Sequence, residues 1–214
     1  MKSIVVINPN SNRVVTDGLD KALEVYRFQE GPEIICVTNS KGPFGIESKL
    51  DSELVVPDIF EQINNHKNAG AYVIACYSDP GIDLLRSAIK TPIYGIAESG
   101  ILTALSRGKR FGVIAISEGS ISRHRVYIQK MGVASRLANE RSLNMTVDQT
   151  AQGARTFEKL IEIGRKLLKD GADVIILGCA GMAIHRPELE KELNAPVIDP
   201  TQAAVSMALG SLVL

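Results

Sequence analysis

The chain has 214 residues, 45% of them hydrophobic and 22% charged, and its 24 basic and 24 acidic side chains leave a formal net charge of zero. That length suits one or two domains of ~100–200 residues with a sizeable core, and the balanced charge excludes the basic footprint of a nucleic-acid binder. No apolar run approaches the ~20 residues that span a bilayer, and the apolar part of MKSIVVINPNSN is too short for a signal peptide, so a cytoplasmic protein with its three cysteines as reduced thiols is expected.

Ile4 to Ile7 is a continuous apolar run of the kind buried on both faces of a parallel sheet. The turn-forming cluster NPNSN, residues 8–12, breaks it, and a helix fits residues 13–27. Residues 33–38 read as a second strand, followed by the loop KGPFGIES at 41–48. A helix is predicted over 50–68, with Leu54, Ile59 and Ile63 among its apolar positions. Residues 72–75 form the next strand and end in Cys76. Pro80 suits the start of a helix running to Ile89, and 91–96 reads as a short strand. Alternating strands and helices predict an α/β protein with parallel sheets and crossover helices.

The second half repeats the first. RFGVIAISE at 110–118 is similar to SIVVINPNS at 3–11, GADVIILGC at 171–179 to GAYVIAC at 70–76, and APVIDPTQA at 195–203 to TPIYGIAES at 91–99. Cys76 precedes Pro92 by 16 residues, and Cys179 precedes Pro196 by 17. A period near 105 residues is too long for a solenoid and predicts a duplicated domain.

Ligands of parallel α/β sheets bind outside the carboxyl ends of strands, where Cys76 and Cys179 both fall. Free N–H groups at the loop or helix starts after them are expected to bring a thiol from ~8.5 toward neutrality. Two thiols facing one carbon from opposite sides suit inversion of a stereocentre. One thiolate removes a proton and the other thiol returns one to the opposite face, while loop N–H groups stabilise the carbanion. This chemistry requires no cofactor. Cys36, between Ile35 and Val37, reads as a small hydrophobe within a strand.

INPNS at 7–11, ACYSDPG at 75–81 with PIYGIAES at 92–99, and LGCAGMA at 177–183 together resemble the aspartate/glutamate racemase superfamily, in its hydantoin racemase and allantoin racemase branch. The likeness runs in order along nearly the whole chain. It implies two pseudo-symmetric α/β domains with the active site in the cleft between them, drawn here as 1–97 plus 204–214 and 98–203. It also implies cofactor-independent proton transfer by Cys76 and Cys179, and a homo-oligomer. Asn8, Asn10, Ser11, Ser78 and the backbone at Ala180 and Gly181 are then expected to hold the substrate's polar edge, with Phe44, Gly45 and Ser117 as further contacts. Two places depart from the branch. GPFG at 42–45 puts Phe44 where small or hydroxyl residues are common, so that it narrows the pocket or packs on the substrate's substituent. Ser117-Glu118 stands where threonines are common, and a carboxylate there repels an anionic substrate but accepts ureido N–H groups.

Other reactions of the same two thiols stay open: racemisation of aspartate or glutamate, and cis–trans isomerisation of maleate with one cysteine as nucleophile. INPNS in place of the acidic-plus-glycine loop of glutamate racemases weakens the first. A non-catalytic two-domain small-molecule binder is the alternative of another class. No CxxC or HxxxH spacing supports a metal, and no GxxxxGK[ST] or suitably placed GxGxxG supports a nucleotide. His185 is expected to cap or order its loop, and His66 and His124 to be solvated. SRHRVYIQK at 122–130 reads as a solvated helix face from which Arg123 or Arg125 reaches a substrate carboxylate in the alternative reading. FEKLIEIGRKLLKD at 157–170 is an amphipathic structural helix whose Glu162–Lys166 pair suits an exposed face.

Overall fold

A computed structural model describes residues 2–151 and 153–212. Strand β1 (Ile4–Asn8) leads into α1 (Arg13–Ala22), capped by the Asn12 side chain, which accepts from the Val14 N–H. A 3-10 turn at Glu24–Tyr26 ends the segment, so the helix predicted to residue 27 is shorter. Next come β2 (Ile34–Thr38), α2 (Lys49–Leu54), α3 (Val56–Asn65), β3 (Ala71–Ile74), α4 (Ile82–Ala88) and β4 (Ile93–Gly95). The single helix predicted over 50–68 is two helices hinged at Val55. Pro57 stands in the first turn of α3, because a proline inside one long helix would clash with the carbonyl four residues back. Helix α4 starts after Gly81, two residues later than predicted from Pro80.

The second half continues with α5 (Ile96–Arg107), β5 (Phe111–Ala115), α6 (Glu118–Lys130), β6 (Leu137–Ser142), α7 (Val147–Thr150) and α8 (Gly153–Lys169). It ends with β7 (Val174–Leu177), a 3-10 segment over Ala180–His185, α9 (Arg186–Leu193), β8 (Val197–Ile198) and α10 (Pro200–Ser211). Two four-stranded parallel sheets result, ordered β2-β1-β3-β4 and β6-β5-β7-β8. The sequence repeat is therefore a repeat of topology, with β1 matched by β5 and β3 by β7.

Alternation sorts the apolar runs into cores. Ile4 and Val6 face a core shared by both halves, which also holds Ile114, Ile175, Leu177 and Cys179. Val5 and Ile7 face the outer layer of the first sheet with Ile59, Ile63 and Tyr72, and Val113 and Ile176 face that of the second with Ile101. Fully burying each such aliphatic side chain stabilises by ~1.5–3 kcal/mol. Helix α8 buries Leu160 and Leu167 and keeps the Glu162–Lys166 pair, 2.6 Å apart, exposed as expected. Helix α10 packs on α5 and on strands of the first sheet.

Asp79 joins the halves. Its carboxylate accepts from the Ala97 and Glu98 N–H groups at the start of α5, each at 2.9 Å, and from the Tyr127 hydroxyl of α6 at 3.0 Å. Asp79→Ala strands three donors, one of them fully buried beside Ala97, and is expected to lower unfolding free energy by ~2–4 kcal/mol. Urea unfolding followed by circular dichroism measures it.

Candidate active site

Each cysteine stands one residue beyond the last ladder bond of its sheet. The Ala75 N–H donates to the Ile7 carbonyl, and the Gly178 N–H to the Ile114 carbonyl, both at 2.8 Å. Gly178 has to be glycine because a Cβ there would lie 2.6 Å from the Ile114 carbonyl oxygen. The chain then turns, and the two thiols enter a single cavity of about 40 Å³ from opposite halves. Ala75, Cys76, Tyr77 and Ser78 line one side, and Gly178, Cys179, Ala180 and Gly181 the other. Asn10, Val15 and Ile46 complete it from the first half, and Ile116, Ser120, Arg123, His124 and Val147 from the second. Tyr77, Ser78, Arg123 and His124 also border a recess of about 460 Å³.

Each thiol has one hydroxyl neighbour. The Cys76 sulfur lies 3.2 Å from the Ser78 oxygen, which in turn lies 3.2 Å from the Ser52 hydroxyl. The Cys179 sulfur lies 3.7 Å from the Thr150 oxygen, and the Thr150 hydroxyl donates to the Val147 carbonyl at 2.7 Å. With its proton so placed, Thr150 accepts from the Cys179 thiol, and turning that proton to the sulfur would favour the thiolate. Burial pushes the Cys76 thiol up to about 11, against the Ser78 hydroxyl and backbone N–H that pull it down. Burial also raises Cys179, against the Gly181 N–H and the Thr150 hydroxyl. The expectation of a thiol near neutrality is thereby overturned: the loop N–H groups act in the anticipated direction, but desolvation outweighs them.

The family model for Asp/Glu/hydantoin racemases matches residues 4–208. The chain belongs to that family. A hydantoin racemase of Pseudomonas sp. is 34% identical, over 96% of this chain and 84% of its own length. One from Paenarthrobacter aurescens is 32% identical, over 96% of this chain and 89% of its own. The solved structure of allantoin racemase from Klebsiella pneumoniae has a TM-score of 0.93 at 30% identity, covering 100% of this chain and 88% of that one. A glutamate racemase from Francisella tularensis, at TM-score 0.70 and 19% identity over 99% of this chain and 81% of its own, shares the fold. The chain is an isomerase of the racemase class.

In this racemase the expected contact residues separate into two groups. Asn10, Ser78, Ala180 and Gly181 line the cavity. The Asn10 amide oxygen accepts from the Asn8 side chain and the Asn12 N–H, each at 3.0 Å, which leaves its NH₂ group without a partner among the described residues. Asn8 does not line the cavity. Fully buried, it ties the loop together by donating to Asn10, to the Asn12 carbonyl and to Thr16. Ser11 is likewise outside the lining, and its N–H donates to the Pro43 carbonyl. Phe44 is 59% exposed and does not narrow the cavity. Gly45 lies outside too, but a Cβ on it would come within 3.0 Å of Val147 in the lining. Ser117 caps α6, its side chain accepting from the Ser120 N–H, so Ser120 takes the place in the lining expected for it. Glu118 is exposed and accepts from the Ser142 hydroxyl.

Helix α6 corrects the sequence reading most. His124, expected to be solvated, is 6% exposed and lines the cavity. Arg123 lines it as well, whereas Arg125 lies outside, its side chain 58% exposed and 3.9 Å from Glu140. His66 is half-buried, with Nδ1 2.9 Å from the Gln62 carbonyl. His185 is buried and stacks on Phe157. Among the described residues no group of three or more His, Cys, Asp and Glu is placed to hold a metal ion, and no helix is long and apolar enough to cross a membrane.

Proposed function

We propose that this racemase inverts the C5 stereocentre of 5-substituted hydantoins or allantoin by passing protons between Cys76 and Cys179. The observation that carries the reading is that two thiols, each just past the last ladder bond of its own sheet, line one cavity from opposite halves. The hydantoin racemases and the allantoin racemase it resembles support the substrate class. In one direction a thiolate takes the C5 proton, and the electron pair moves into the C4 carbonyl as an enolate. The opposite thiol then gives its proton to the other face of C5 and becomes the thiolate. Asn10, the Ser78 loop and the N–H groups after Cys179 are the donors available to the enolate oxygen. No cofactor enters the balance. Asn8, Ser11, Gly45 and Ser117 act through the loops they hold. We assign 1–97 with 204–214 to one unit and 98–203 to the other, supported by the packing of α10 on the first sheet. A cytoplasmic homo-oligomer completes the proposal by the family resemblance.

Single enantiomers of allantoin and of several 5-substituted hydantoins, incubated in D₂O with chelator, test it against an enzyme-free control. Decay of circular dichroism with deuterium entering C5 is the expected result. Silence on all of them rejects these substrates and turns attention to aspartate, glutamate and maleate. Binding without turnover on those as well would leave a binding protein.

A further inference from the structure

Beside the thiols stands a buried histidine that the proton relay does not use. His124 on α6 turns Nδ1 to the Glu140 carboxylate of β6 at 3.0 Å. The Glu140 side chain is fully buried and that of His124 is 6% exposed. A carboxylate only accepts, so Nδ1 carries a proton, and Nε2 has a lone pair when the ring is neutral. Nε2 has no hydrogen bond among the described residues, and the ring borders both the cavity and the recess next to it. Tyr77 packs edge-on to the imidazole, with ring centroids 4.9 Å apart. The Tyr77 hydroxyl, the Arg123 Nε and the Glu140 Oε2 are buried without a hydrogen-bond partner among the described residues. Buried polar atoms left unpaired in a native fold call for an explanation. Here Tyr77 and Arg123 share the lining with this ring, where a ligand rich in N–H and C=O groups would meet them.

We propose that His124 recognises the ureide of the substrate, its Nε2 accepting a ring N–H, and that Glu140 is a positioning residue that fixes the tautomer able to do so. The inference rests on the substrate class proposed above and deepens it. The N–H groups of a hydantoin ring need acceptors, whereas the backbone N–H groups of the two cysteine loops and the Asn10 NH₂ are donors. Among the groups named in the lining, the His124 imidazole in its neutral form offers an acceptor at Nε2, held at a fixed angle by a buried partner at Nδ1. A substrate lacking the N–H leaves that acceptor unpaired, which is the kind of mismatch a polar site rejects strongly.

The test compares each hydantoin with its N1-methyl and N3-methyl derivatives in wild type, His124→Leu, His124→Gln and Glu140→Gln. In wild type one of the two methylations is expected to lower kcat/KM far more than the other. His124→Leu is expected to raise KM for the parent about tenfold with little change in kcat, the size of one net hydrogen bond, and to shrink that methylation gap by a similar factor. His124→Gln restores part of both, because its amide oxygen again offers an acceptor. Glu140→Gln shrinks the gap too, because its amide donates to Nδ1 and turns Nε2 into a donor. A structural role alone would lower stability and leave the gap intact. Wild-type racemisation with an undiminished gap in the His124 and Glu140 variants overturns this inference and leaves the proposed function standing. Absence of any wild-type racemisation rejects both. If His124→Leu does not fold, the isosteric Glu140→Gln comparison decides.

Discussion

Cys76→Ala and Cys179→Ala are each expected to reduce racemisation by at least ~10³-fold while leaving hydrogen exchange at C5 for one enantiomer. A positioned acid or base contributes ~10²–10⁴ to rate, and inversion by the proposed relay needs both thiols in every turnover. The remaining thiol still faces one side of the carbon. It can remove a proton there and, after exchange with solvent, return deuterium to the same face, so label enters without loss of optical activity. The two variants should therefore exchange opposite enantiomers. Each enantiomer, incubated separately in D₂O and read by mass spectrometry and by polarimetry, gives the pattern. Racemisation at the wild-type rate in either variant rejects the two-thiol mechanism. Exchange of the same single enantiomer by both variants would mean that the two thiols approach from the same side. Cys36 serves as the control. It packs in its strand against the shared core, and burial pushes its thiol to about 12, so Cys36→Ala should leave the rate unchanged.

The parts of this protein written in apolar runs were legible before the structure, and the parts written in burial of polar groups were not. Ile4–Ile7, Tyr72–Ile74 and Val174–Leu177 are buried on both faces and show as unbroken hydrophobic stretches. The cysteines were legible because each follows such a run at a matching place. Strand β6, by contrast, reads LANERS, and only Glu140 in it is fully buried. An edge strand half open to solvent carries no apolar signal, so no strand was predicted there. The same strand holds the partner that draws His124 inward. A histidine between two arginines in SRHRVYIQK looks solvated until a carboxylate 16 residues away is folded against it. Phe44 failed in the opposite direction: a large apolar side chain next to Gly-Pro suggested a pocket wall, and the loop turns it outward. The thiol environment was read correctly in kind and wrongly in sign, because sequence shows the donors after each cysteine but not how much water the surrounding core removes.

That sign sets the second large effect: kcat/KM is expected to rise about tenfold per pH unit from pH 7 to 9. The relay needs one thiolate and one thiol. With Cys76 at about 11 and Cys179 also raised by burial, only about one site in 10⁴ is ionised at pH 7 on the Cys76 side. The rate then follows the thiolate fraction with a slope of one. The first thiolate also opposes ionisation of its neighbour, since charge on Cys179 raises Cys76 further. The two thiols therefore titrate as a pair, and the falling limb, where both are thiolates, lies higher still. Ser78→Ala and Thr150→Val remove hydroxyls that favour the thiolate and should move the rising limb to higher pH. Stability limits the experiment from the same cause. A thiol whose folded pKa lies above its unfolded value contributes stability that is fully present below about pH 8.5 and is lost as pH rises through the folded value near 11. Activity should therefore climb through the window in which the fold begins to weaken, and initial rates must be paired with thermal melts at each pH. A profile flat from pH 7 to 9 would mean that ionisation of a buried thiol in the free enzyme does not limit the reaction.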